Sequence, residues 1–66
     1  VKDEITSKQL EVLQLIAEGD SSEEIAKKLE NSKKTIDAIR MDMLRRFQVR
    51  NVALLVAYGF RRGWLQ

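Results

Sequence analysis

The sequence predicts an all-α fold of four short helices in one domain, residues 1–66. Three observations carry that prediction. Proline is absent from the 66 residues, so no helix interior lacks a backbone N–H donor. Apolar residues recur at three- and four-residue spacing in successive segments, the period of a helix with one buried face. Each segment is also preceded by a Thr, Ser or Asn, the residue types that accept from the free N–H groups of a first helical turn.

The first helix is expected near residues 7–18. Thr6 with Gln9 three residues on forms a capping box, in which each side chain satisfies the other's backbone N–H. Ile5 and Leu10 bracket that cap as a hydrophobic staple. Leu10, Leu13, Ile16 and Ala17 then follow the helical period, with Val12 and Leu15 widening the stripe. Gly19 supplies the left-handed residue that ends it. Ser21 with Glu24 repeats the capping box for a second helix near 22–29. Ile25, Ala26 and Leu29 are its buried face, and Ala26 suits a close helix crossing. Lys27 and Lys28 coat its outside.

Ser32 caps a third helix near 33–47. At about 100° per residue, Ile36, Ile39, Met43, Leu44 and Phe47 share one side. Lys34, Ala38, Met41 and Arg45 lie opposite, flanked by Asp37 and Asp42. Asn51 caps a fourth helix near 52–62, whose Val52 to Tyr58 run is almost wholly apolar. Arg61 and Arg62 suit its C-terminal dipole end, Gly63 breaks the pattern, and Trp64 is expected to fold back as a lid over the core. A helix apolar on all sides is either fully buried or covers a second surface. In so small a domain the second option is the natural one, with Val52 and Val56 as the expected self-association face.

Only Glu30 and Asn31 separate the second helix from the cap of the third. Two helices joined by so short a turn have the layout of a helix-turn-helix, in which the first helix braces a second that lies in the major groove of DNA. Charge agrees with that layout. Residues 1–31 hold four lysines against eight carboxylates, a net of −4, whereas residues 32–66 hold eight cations against Asp37 and Asp42, a net of +6. The positive half contains the third helix, as a binder of a polyanion requires. A solvated basic face is the plainer alternative. Absence of His and Cys removes imidazole and thiolate metal sites and the Ser-His-Asp and Cys-His arrangements. No enzyme, cofactor or metal is expected. No apolar stretch approaches the roughly 20 residues of a membrane span, and a cytoplasmic protein is expected.

Several blocks taken in register resemble one family. Ile5-Thr6-Ser7-Lys8-Gln9-Leu10-Glu11-Val12-Leu13, Leu15-Ile16-Ala17-Glu18-Gly19, Ser21-Ser22-Glu23-Glu24-Ile25-Ala26-Lys27-Lys28-Leu29, Ser32-Lys33-Lys34-Thr35-Ile36 and Arg45-Arg46-Phe47-Gln48-Val49-Arg50-Asn51 are similar to the successive motifs of the LuxR/NarL (GerE-like) C-terminal DNA-binding domain. The resemblance implies a tetrahelical helix-turn-helix domain, binding of double-stranded DNA and a homodimer through the fourth helix. It further implies an N-terminal receiver or sensor domain outside this chain, so that the chain would be the effector part of a response regulator. Base-reading positions carried over from the family fall on Asp37, Ala38 and Met41. The departures are clear, since Asp37 stands where the family commonly has Lys, and Asn31 stands where an apolar residue fills the corner.

Phosphate contacts are expected from Lys33 and Lys34 and, as the resemblance implies, from Thr35 and Arg46, with Arg45, projecting outward beside Met41, a lesser candidate. Two lysines at a helix N-terminus oppose the helix dipole, which suggests an anion outside. Asp37 would accept from cytosine, and Ala38 and Met41 would meet thymine methyl groups. Arg40 lies nearer the core edge, where its stem can pack. Two alternatives stand beside this reading: region 4 of a sigma factor, and a degenerate helix-turn-helix kept as a protein-interaction module.

Overall fold

Four helices make up the regular structure of residues 5–66, the part of the chain that this computed structural model describes: α1 (Ser7–Ala17), α2 (Ser22–Leu29), α3 (Lys33–Arg46) and α4 (Val52–Arg61). The expected domain begins at residue 1, and its first four residues lie outside the described ones. Three of the helices close one residue earlier than their sequence patterns suggest, because Glu18, Phe47 and Arg62 act as C-caps.

The N-terminal caps are those expected. Thr6 Oγ1 accepts from the Gln9 N–H at 3.1 Å while Gln9 Oε1 accepts from the Thr6 N–H at 3.2 Å. Ser21 and Glu24 repeat the exchange at 3.2 and 2.8 Å. Ser32 Oγ accepts from the Thr35 N–H and Asn51 Oδ1 from the Leu54 N–H. Each cap satisfies a donor that the helix itself cannot.

All four C-termini close in one way. A left-handed residue follows each helix (Gly19, Glu30, Gln48 and Gly63, with φ of 99°, 56°, 57° and 81°). The next N–H then reaches back to a carbonyl five residues earlier: Asp20 to Leu15, Asn31 to Ala26, Val49 to Leu44 and Trp64 to Gly59, at 2.8–3.0 Å. This is the Schellman closure. Glycine takes the left-handed region without strain, whereas Glu30 and Gln48 hold a Cβ there. In the turn between α2 and α3, Asn31 is half-buried and its Nδ2 donates to the Leu29 carbonyl at 3.1 Å. A polar side chain thus occupies the corner by bonding to the backbone.

The core is one cluster fed by every helix. Val12, Leu13 and Ile16 come from α1, Ile25 and Ala26 from α2, Ile36 and Met43 from α3, Leu55 from α4 and Leu65 from the tail. Ile39, Leu44, Phe47, Val52, Val56 and Trp64 pack around it, half-buried. Gly59 allows the tail to close, since a Cβ there would stand 2.9 Å from Leu65 Cδ1 and 3.1 Å from Leu13 Cδ2. Trp64 sits with Phe47 and Tyr58 in a three-ring cluster, with centroids 5.1–5.7 Å apart. It covers the α3–α4 junction as a lid. α1 and α3 each pack against the other three helices, and α3 does so most extensively against α2 and α1.

The left-handed closures at non-glycine residues give a stability prediction. Gln48→Gly removes a strain of about 1–2 kcal/mol and adds about 0.5–1 kcal/mol of backbone entropy cost. The expected result is a gain of about 0.5–1 kcal/mol in urea unfolding. A loss of stability would show that the Gln48 side chain stabilises the turn by more than its strain.

Candidate nucleic-acid interface

α3 can present a surface because only one of its faces is apolar. Ile36 and Met43 are fully buried, and this fixes which residues point away. Lys34, Ala38, Met41 and Arg45 form a continuous exposed stripe along the outer face, and Met41 is 55% exposed although apolar. Thr35 is exposed at the start of the helix, its Oγ1 accepting from Ser32 Oγ at 2.9 Å. Lys34 has no ion-pair or hydrogen-bond partner among the described residues. Arg45 lies 3.7 Å from Asp42 in a loose, exposed i,i+3 pair.

Arg46 is exposed at the far end of the helix. Its Nη1 donates to Gln9 Oε1 at 3.0 Å, and its guanidinium lies 5.2 Å from the centroid of the Phe47 ring. The same Gln9 completes the α1 capping box, so Arg46 ties the end of α3 to the start of α1.

Asp37 departs from the expected orientation. The sequence pattern puts it beside the outward stripe, and the family resemblance implies a base-reading position there. In the structure it is half-buried against α2, and both carboxylate oxygens have partners. Oδ1 accepts from Ser22 Oγ at 2.7 Å and Oδ2 from Lys33 Nζ at 2.9 Å. The Ser22 hydroxyl, 6% exposed, also accepts from Arg40 Nη1 at 2.6 Å. One α2 hydroxyl therefore bridges a cation and an anion one turn apart on α3. Arg40, expected to pack by its stem, is held here by its charged head. Sequence reading missed Ser22 altogether, although the Lys33–Asp37 spacing is that of an ordinary i,i+4 pair.

Electrostatics follow from these contacts. The hydrogen bond from Lys33, and then that from Ser22, hold the Asp37 carboxyl below its ordinary value. The Asp37 carboxylate correspondingly raises Lys33. Away from α3, Lys28 Nζ pairs with Asp20 at 2.7 Å, and that carboxylate raises the lysine pKa.

The fourth helix distributes its apolar surface unevenly. Val52 and Val56, the expected self-association face, are half-buried and pack on the core. The outward stripe is instead Ala53, Leu54, Ala57, Phe60 and Arg61, with Leu54 39% and Phe60 50% exposed. A nearly all-apolar helix has no period from which to read its outer face; that face is set by where α1 and α3 cover it. Among the described residues no group of His, Cys, Asp and Glu could hold a metal ion, and no helix is long and apolar enough to cross a membrane.

A capped helix-turn-helix whose exposed stripe runs between basic residues at its two ends defines a class of small DNA-binding regulatory domain. The family comparison places the chain in that class. Residues 3–58 match the luxR family of bacterial regulatory proteins, and the chain belongs to that family. It is also 33% identical over 60 residues to an uncharacterised response regulatory protein, YgeK, of Escherichia coli strain K12. That alignment takes in 91% of the chain and 41% of the relative's length.

The Asp37 contacts predict a pH dependence of stability. Its carboxyl titrates lower when folded than when unfolded, so the ionised form favours the folded state. That contribution is present in full above the ordinary aspartate value of 3.8 and is lost as pH falls through the lower folded value. Asp37→Asn should therefore flatten the acid limb of stability, read as urea midpoints between about pH 5 and pH 2.5. Parallel acid limbs in the two proteins would mean that the carboxylate has the same surroundings folded and unfolded.

Proposed function

We propose that the domain binds double-stranded DNA sequence-specifically as a homodimer, with α3 in the major groove. The observation that carries this is the exposed Lys34–Ala38–Met41–Arg45 stripe on a helix whose opposite face buries Ile36 and Met43 completely. An α-helix is about as wide as the major groove, so its outer stripe is what reaches base edges. Ala38 and Met41 offer contact to thymine methyl groups. Lys34 and Thr35 at the helix start, with Lys33 beside them, and Arg45 and Arg46 at its end, take phosphates on either side. Asp37, turned to α2, is not assigned a base.

The two-fold partner is a second copy meeting α4. Ala53 and Ala57 allow close approach, while Leu54 and Phe60 supply exposed apolar area. The similarity to a response regulatory protein of greater length supports the output domain of a two-component response regulator, joined to a receiver domain outside this chain. A DNA partner would place such a regulator in the bacterial cytoplasm.

Phosphate roles have a thermodynamic signature, because each neutralised phosphate releases condensed counterions. Arg46→Ala and Lys34→Ala should each weaken binding about equally across duplex sequences and lower the salt slope by roughly one unit. Fluorescence anisotropy over a salt series reads both quantities. An unchanged slope would remove that residue from the phosphate set. Absence of any salt-dependent binding by the wild type would remove the DNA reading and favour the interaction module.

The α4 stripe gives a separate test. Leu54→Glu should abolish two-to-one complexes with DNA in sedimentation while helical circular dichroism is retained. Val56→Glu should instead cost about 1–3 kcal/mol of stability, since it places a charge against the core. Two-to-one complexes that survive Leu54→Glu would move the dimer contact elsewhere.

A further inference from the structure

We propose that Asp37 is a fixed counter-charge on α3, which lowers the domain's affinity for every duplex and leaves discrimination to its exposed Ala38 and Met41. The inference rests on the DNA-binding reading above. The two bonds that Asp37 makes are unequal in strength. The Lys33 contact is an exposed i,i+4 ion pair, with side chains 57% and 45% exposed. Such a pair is worth a factor of about two in an equilibrium, so an approaching phosphate draws Lys33 away readily. The carboxylate does not follow. Its Oδ1 accepts from the buried Ser22 hydroxyl, which itself takes a 2.6 Å hydrogen bond from Arg40. Breaking that contact would leave a buried hydroxyl short of a partner, which is costlier than opening a surface ion pair.

A negative charge therefore stays near the start of α3 whatever Lys33 does, one turn from the lysines offered to phosphate. It offsets one cation of the interface and reduces the counterions that binding releases. The other carboxylate on α3 provides the contrast. Asp42 is 65% exposed and lies 3.7 Å from Arg45. Among the described residues nothing ties it to another helix, so it can turn from a phosphate.

The test uses a random-sequence duplex and anisotropy over a salt series. Asp37→Asn keeps a carbonyl acceptor for Ser22 and loses the charge. Its salt slope should steepen by about one unit, with roughly three- to tenfold tighter binding at low salt. Asp42→Asn, the same charge change without the tether, should produce less than half of that effect. An unchanged slope or weaker binding for Asp37→Asn overturns the proposal, as does an equal effect of Asp42→Asn. If Asp37→Asn loses its helical signal, Ser22→Ala carries the test when compared within an Arg40→Ala background, because there it keeps the Asp37 charge and cuts the tether without releasing a cation. Tighter binding by Ser22→Ala supports the fixed charge; unchanged or weaker binding overturns it. A wild-type domain without salt-dependent binding would instead overturn the DNA reading on which this rests.

Discussion

The outward face of α3 is where it is because Ile36 and Met43, on the inward face, are withdrawn from water completely. Burial of each such side chain is worth roughly 1.5–3 kcal/mol. For a domain of this size, that is a large share of the few kcal/mol a core of this kind supplies. A rotation of α3 about its axis would expose one or both. The same term that holds the helix therefore sets its angle, and Lys34, Ala38, Met41 and Arg45 inherit their exposure from it. Hydrogen bonds refine the placement: Ser22 fixes the start of the helix against α2, and Arg46 fixes its end against α1.

Much of this arrangement was legible in the sequence. The four N-caps are local events between residues three apart, and the helical period separated Ile36 and Met43 from Met41 without reference to any neighbour. What was not legible depends on how helices face one another. Residue 37 sits one helical step from the buried Ile36, on the border between core and surface. Whether it looks toward a ligand or toward α2 depends on the crossing of α2 and α3. The outer face of α4 is a similar case. An apolar run carries no phase, so Leu54 and Phe60 became the exposed residues only once α1 and α3 had covered Val52 and Val56.

The helix ends show the same division between residue type and geometry. Gly19 was readable as a terminator because glycine is the residue that enters the left-handed region without cost. Glu30 and Gln48 adopt the same conformation without being marked by residue type. They are held there by the backbone, through the hydrogen bonds from Asn31 to Ala26 and from Val49 to Leu44. Both flank α3. Each bond closes a carbonyl that would otherwise need water, and each turns the chain sharply enough to keep the connections to α2 and α4 short.

The aromatic cluster carries a consequence of another kind. Trp64 is the sole tryptophan of the sequence, and it touches Phe47 at the end of α3 and Tyr58 in the middle of α4. Arg62 stacks over both Tyr58 and Trp64, so a cation lies within 6 Å of the indole centroid. An indole held between two rings beside a fixed positive charge has an emission colour set by that packing. The native protein thus contains an optical gauge of one junction, the one between α3 and α4, which reports its opening without any attached dye.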